Sequence, residues 1–396
     1  MRTSFAEALQ RQEGAPDLSR ATGASWPSRL TSFADLCEDK AAEADEHSRV
    51  HSDIAAALST LGILTAPLPW QAGGAGLAEA SNWSKLLDAL RTIGAADLSI
   101  GRLFEGHANA IDLVRRYGTD SQFQTLAHAI GNGAMTGVWG ADGKNPLQLS
   151  KVSDGWLLQG GKILASGIGL VIKPLVTAGS EEGQRLIMLT LEPRERADLS
   201  SWTPLGMQSS ATGSVDLTGM VVSEACLIGK PGDFTRQPYF SGGAWRFCAV
   251  HLGGMQRLVD LYREQLLLRR RGDDPYQLQR VVACVAAAGT AAFWIRAAAR
   301  QLALRSTEAE KSVALSNVAR GITERAALDI METVQRGSGL PSFIRPSPLE
   351  RIVRDLGTYL RQPMPDLAMA DAARFALANA APIKDMWNFD EDQLLS

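Results

Sequence analysis

Apolar residues recur at three- and four-residue intervals from about Leu30 to His128, the spacing that lines one face of an α-helix. Two segments carry the pattern, EDKAAEADEHSRVHSDIAAALSTLG and ASNWSKLLDALRTIGAADLSIGRLFEGHANAIDLVRRYG. Between them lies APLPWQAGGAGL, Ala66 to Leu77, where proline fixes φ and glycine admits left-handed turns, so a loop is predicted. Beyond Gly131 the period changes. Val, Ile, Leu and Thr alternate with polar residues in short runs such as KVSDGWLLQGGKILASG, QRLIMLTLEP and GSVDLTGMVV. Gly, Asp and Asn punctuate these runs, which predicts an all-β region ending near Gly232. Helical periodicity returns at Ala244, with candidates over 244–271, 275–305, 308–336, 347–362 and 366–380, several of them long enough for a bundle. The fold class predicted is α+β and multidomain: an N-terminal helical domain over 1–130, a middle β-barrel or sandwich over 131–235, and a C-terminal helical bundle, of four-helix type, over 236–396. The first 28 residues and the tail from Pro382 read as peripheral arms.

With 396 residues, 45% of them hydrophobic and 21% charged, the chain can bury a large core. Its 40 basic and 43 acidic residues are interleaved and leave a net charge of −3, so neither a nucleic-acid footprint nor a membrane-binding polybasic cluster is expected. Small molecules and copies of itself are the expected partners. Cys37, Cys226, Cys248 and Cys284 lie far apart without a CxxC pair, and MRTSFAEALQRQEGAPD at the start lacks an apolar signal core, so a reducing, cytoplasmic setting is expected. The longest apolar run, Val281 to Ile295, is shorter than the roughly 20 residues that span a bilayer and reads as a buried helix.

P-loop, HExxH, GxSxG and strand-borne GxGxxG motifs do not occur. His47 and His51 stand one helical turn apart, but among Asp45, Glu46 and Asp53 they read as a solvated face, and no metal site is expected.

The segments LGILTAPLPWQAGGAGL, GVWGADGKNPLQLS, DGWLLQGGKILASGIGLVIKPLVTAG and WTPLGMQSSATGSVDLTGMVVSEACLIGKPGDF, then LGGMQRLVDLYREQLLLRR, VQRGSGLP and ERIVRDLGTYLRQP, follow one another in a distinctive order. In that order and spacing, over roughly residues 50–380, the chain resembles the acyl-CoA dehydrogenases. The resemblance implies an FAD held between the β-domain and the bundle, with FMN an alternative, in a dimer or dimer of dimers. It implies Val138, Trp139 and Ser166 beside the flavin ring, Arg269 and Gln279 reaching the cofactor across a subunit interface, and Gln335, Gly337 and Gly339 in a loop beside its adenosine end. Gln277 is an equally close match to the glutamine.

One departure bears on function. When Arg354 and Asp355 are aligned with the family's arginine–aspartate pair, Pro363 falls where the carboxylate base that removes the substrate's α-proton belongs. The family's other base position falls near Gly243, also not acidic. Candidate chemistry then rests on Arg246, His251 and His107, with Glu105 beside the last, as groups that orient a substrate or move a proton near neutral pH. Three functions follow from the resemblance: an FAD-dependent oxidoreductase acting on a small or CoA- or carrier-linked substrate, a monooxygenase whose flavin is reduced by a partner reductase or other electron-transfer protein, or a scaffold that keeps the fold without the chemistry.

Overall fold

The computed structural model describes residues 25–304 and 307–387. Most of the expected N-terminal arm, and the chain end from residue 388, lie outside the described residues. Five helices open the fold: α1 (Trp26–Glu46), α2 (Ser52–Thr60), α3 (Trp83–Ala96), α4 (Leu98–Tyr117) and α5 (Asp120–Gly131). Their starts are set by side chains that satisfy otherwise unpaired N–H groups. His51 accepts from the Asp53 amide, Asp97 from the Ile100 amide, and Thr119 and Gln122 form a reciprocal capping box. His51 is thus a helix cap whose other ring nitrogen faces Glu43 at 3.2 Å. The Pro/Gly segment before α3 forms turns and a single 3-10 turn, as its composition requires.

Ten strands follow among the described residues: β1 (Met135–Trp139), β2 (Gln148–Val152), β3 (Gly155–Gln159), β4 (Gly161–Ala165), β5 (Val171–Ala178), β6 (Arg185–Met188), β7 (Ala197–Asp198), β8 (Gly213–Asp216), β9 (Val221–Val222) and β10 (Leu227–Ile228). They form three small sheets, ordered β1-β5-β6-β10, β2-β3-β9 and β4-β8-β7. Only β1 and β5 pair in parallel, with Val138 opposite Leu175. Lys162 is fully buried there and is neutralised by Asp142 at 2.6 Å.

The bundle comprises α6 (Tyr239–Gly242), α7 (Trp245–Leu268), α8 (Pro275–Leu304), α9 (Ala309–Ser338), α10 (Pro348–Tyr359), α11 (Pro365–Ala378) and α12 (Ile383–Met386). Helices α3 and α7 pack almost backbone to backbone: a Cβ on Gly253 would lie 2.1 Å from the Arg91 carbonyl oxygen, and one on Gly94 2.4 Å from that of Val250. The apolar run Val281–Ile295 lies in α8, and here the expectation of a buried helix is corrected. Cys284, Ala288, Ala291 and Ile295 face the bundle, whereas Val282 and Val285 are more than half exposed. Length and hydropathy alone would suit a membrane span, but α8 packs against α7 and α9 as a bundle helix. Leu267 and Leu268 at the end of α7, and Tyr276 and Leu278 in the first turn of α8, are exposed as well.

The β-domain is fastened to the bundle through the loop at residues 205–207. The Met207 amide donates to Asp355 at 2.5 Å, the Gly206 amide to Thr358 at 3.2 Å, and Arg354 to the Leu205 carbonyl at 2.8 Å. Gly206 has no room for a side chain, since its Cβ would sit 2.1 Å from the Arg354 carbonyl oxygen. Arg354 also spans Asp45 of α1 at 2.7 Å and Glu350 at 2.6 Å, all largely buried, so one guanidinium ties three parts of the chain together. Removing one member of such a buried set leaves charges uncompensated. Arg354→Ala is therefore expected to lower the unfolding free energy by about 3–5 kcal/mol, read by chemical denaturation.

Burial, together with the charge of Asp97 on the far side of Arg351, pushes Asp355 up to about 7. A carboxyl raised in the fold binds its proton more tightly there than when unfolded, so its contribution is present in acid and lost as pH climbs to about 7. Stability should fall over that window, and Asp355→Asn, which keeps the acceptor for Met207 but cannot ionise, should flatten the decline in denaturation midpoints.

Candidate functional site

The β-domain offers one wall where it meets the helices. The Trp139 indole N–H, at the end of β1, donates to the Ser166 carbonyl at 3.0 Å, just beyond β4. The Ser166 hydroxyl accepts from Thr212 at 3.1 Å; Thr212 shares a 2.7 Å bond with Ser210, which donates to the Met207 carbonyl at 2.7 Å. A line of hydroxyls thus runs from Ser166 to the loop that docks on α10. Gly167, at φ 81°, lets the chain turn beneath α4, where Leu103 would lie 3.1 Å from an added Cβ. Val138 is half-buried and precedes Trp139 on β1, so its side chain points to the opposite face of the strand; of the three residues predicted for a flavin ring, the structure brings Trp139 and Ser166 together.

Helix α4 divides its polar residues between two faces. His107 points to β1: its Nε2 lies 2.8 Å from the Leu64 carbonyl and its Nδ1 accepts from the Thr136 amide at 3.1 Å. Both nitrogens are engaged, and burial lowers its pKa to about 4, so His107 is a neutral bracket between α4 and the sheet. The other face carries Arg102, Glu105, Asn109, Asp112 and Arg116 at alternating three- and four-residue spacing. Arg102 donates to Glu105 at 2.7 Å, and Asn109 reaches the same carboxylate. Asp112 is shared by Arg115, Arg116 and, from α7, Arg246 at 3.3 Å. Burial opposes its charge, but Arg246, Arg116 and Arg115 prevail and hold its carboxyl below the ordinary range.

His251, one turn and more along α7 from Arg246, faces the other way. Its ring meets Tyr359 edge-on at 4.4 Å and Phe247 at 5.6 Å, burial lowers its pKa to about 3, and its Nε2 has no partner. The Tyr359 hydroxyl is likewise unpartnered and is pushed well up by burial. The three catalytic candidates therefore occupy separate places: His107 against β1, Arg246 on Asp112, and His251 beside α10.

The residues predicted for the phosphate and adenosine end gather at the opposite end of the bundle. Arg269 caps α7 and is exposed, as is Gln279. Gln277 is buried and hydrogen-bonded to the Tyr262 hydroxyl. Gly337 packs against that same phenol, whose oxygen would be 2.1 Å from an added Cβ, so its lack of a side chain is accounted for by internal packing. Gly339 ends α9 at φ 73°, and Gln335 borders an open groove with Arg325, Met331 and Phe343. Arg320 and Tyr359 were not singled out from the sequence, where the arginine is one of three in its helix.

His107→Leu should cost about 2–4 kcal/mol of stability by leaving the Leu64 carbonyl and Thr136 amide unpaired in the interior. Thermal unfolding checks this; a variant as stable as the parent would contradict the bracket role.

Residues 31–134 match the acyl-CoA dehydrogenase N-terminal domain family. A dibenzothiophene monooxygenase from Rhodococcus qingshengii is 26% identical over 244 residues, which is 56% of this chain and 58% of that protein, so the chain spans little more than half the length of that relative. Among solved structures, the methanesulfinate monooxygenase MsuC from Pseudomonas fluorescens superposes with a TM-score of 0.78 at 19% identity, covering 91% of this chain and 98% of that one. FMN-bound TdsC from Paenibacillus sp. A11-2 gives 0.76 at 19% identity, over 93% and 100%. Helices, a central β-domain and a helical bundle occur in the expected order, and the chain is a divergent protein of the acyl-CoA dehydrogenase fold.

Proposed function

We propose that the protein is a flavin-dependent monooxygenase that oxidises a small molecule with dioxygen, its flavin being reduced by a separate reductase. The similar proteins named above are monooxygenases, and one is described as FMN-bound, which favours this reading over dehydrogenation of an acyl-CoA or carrier-linked substrate. The observation that carries the reading is local. Aligned on Arg354 and Asp355, the sequence puts Pro363 at the position of the dehydrogenases' base, and Glu324, a carboxylate in the recess beside that loop, is held by Arg361 at 2.8 Å. A monooxygenase of this type needs no such base.

The residues present fit a flavin. Main-chain groups of β1 and the hydroxyls of Ser166 and Thr212 supply donors and acceptors for the polar edge of a tricyclic ring. Arg269 and Arg270 form no ion pair among the described residues, and a planar guanidinium suits a phosphate. A bound reduced flavin would supply electrons to dioxygen. The chain's part is to hold the ring against Trp139 and Ser166, keep water out with the packed α4–α7 wall, and orient the substrate.

The uncovered apolar side of α8 and the adjoining Leu267, Leu268 and Tyr276 fit a second copy of the chain, in a dimer or dimer of dimers that brings Arg269 to a neighbour's flavin.

Flavin titration followed by fluorescence tests the reading, with FMN and FAD run in parallel. Binding is expected, weakened roughly tenfold by Arg269→Ala, as loss of one charge-assisted bond implies. The reduced, flavin-loaded protein should consume oxygen, and acyl-CoA should leave the oxidised flavin coloured under anaerobic conditions. Bleaching by acyl-CoA would restore the dehydrogenase reading, and no flavin affinity would favour the scaffold.

A further inference from the structure

Strand β4 carries a lysine in the interior and a break in its pairing, both within four residues of Ser166. Lys162 pairs with Val215 of β8 and Ala165 with Gly213, so Ile163 and Leu164 together oppose the single residue Ser214. This is a β-bulge. Leu164 stands at φ 54°, a left-handed conformation that disfavours any residue but glycine. The two side chains of the bulge are apolar and exposed, Ile163 by 39% and Leu164 by 54%. Such a segment persists only where its surroundings hold it in place.

Lys162 supplies the hold. Its side chain is fully buried, at an inward position of the strand where an apolar residue would fill the space without the cost of burying a charge. The Nζ donates to Asp142 at 2.6 Å and to the Thr177 hydroxyl at 3.0 Å, and Thr177 in turn donates to the Gly140 carbonyl at 3.3 Å. Asp142 also accepts from the Leu147 amide at 3.2 Å, which closes the turn after β1. Alongside, the Ile163 amide donates to the Ala141 carbonyl at 3.0 Å. One ammonium thus joins β4 to β5 and to the residues that follow Trp139. A buried ion pair is weak support for stability, and its best-attested use is to fix a register. The strands registered here are the two that lead to Trp139 and Ser166.

We propose that Lys162 is a positioning residue for the flavin: from inside the β-domain it fixes the Ile163–Leu164 bulge and the spacing of Trp139 from Ser166, and so sets the face that receives the ring. The inference rests on the reading of the protein as a flavoprotein. Lys162 acts through the wall, without touching the ring.

Lys162→Met keeps the length of the side chain without its charge, and Asp142, 40% exposed, can be solvated by water once its partner is gone, so the variant is expected to fold. FMN is titrated into parent and variant at a temperature where circular dichroism shows both folded. The expected result is FMN binding weakened at least roughly tenfold in Lys162→Met, with the visible absorption band of the bound flavin displaced from that of the parent. Asp142→Asn, which keeps an acceptor for Lys162 and Leu147 without the charge, should retain more of both than Asp142→Ala. A lysine that merely stabilised the domain would lower the unfolding midpoint on replacement and leave the affinity and spectrum of the folded protein unchanged; that result in Lys162→Met would overturn the proposal. Should Lys162→Met not fold, Asp142→Ala asks the same question at a more exposed residue, and unchanged affinity and spectrum there overturn it equally. A parent without FMN affinity would overturn the flavoprotein reading, and the positioning role with it.

Discussion

Everything that meets at the candidate site depends on the seam between the β-domain and the bundle, and that seam is held by Arg354 and Asp355. Asp355 receives the Met207 amide, Arg354 grips the Leu205 carbonyl while pairing with Asp45 and Glu350, and Gly206 lies too close to α10 for any side chain. Ser210, on the same loop, begins the hydroxyl run that ends at Ser166. The wall proposed for a flavin is therefore positioned by the same contacts that dock the domain.

Helix α4 links this seam to the bundle by turning different chemistry to different neighbours. His107, satisfied by two backbone groups, fixes its spacing from β1, and Leu103 closes over Gly167. On its other face a buried line of charge couples it to α7 through Asp112 and Arg246. Groups engaged this fully serve architecture. Buried polar atoms without a hydrogen-bond partner lie one step away, at His251 Nε2 and the Tyr359 hydroxyl.

Much of the fold was legible in the sequence because periodicity is a property of burial. The shift from helical to alternating spacing beyond Gly131, and back at Ala244, reports which faces touch the core, and β1 and α7 begin close to those points. The run Val281–Ile295 misled for the same reason: apolar composition registers the need for cover without saying whether the cover is the chain's own core or another copy. The order of flanking segments pointed to Trp139 and Ser166 together, and the two are hydrogen-bonded in the structure. Gln277 and Gln279 could not be told apart by pattern, since two positions on a helix differ mainly in which neighbour they find; the buried one meets Tyr262. Arg320 left no trace, because one of several arginines on a long helix becomes informative only when the α10–α11 loop folds over it.

The most direct test of the account is a structure of the protein with FMN. The account predicts an isoalloxazine against Trp139 and Ser166, between the β-domain and the bundle, with Arg269 of a second copy nearest the phosphate. A flavin lodged elsewhere, or a seam between β4 and α4 that stays closed by side chains at saturating FMN, would contradict it.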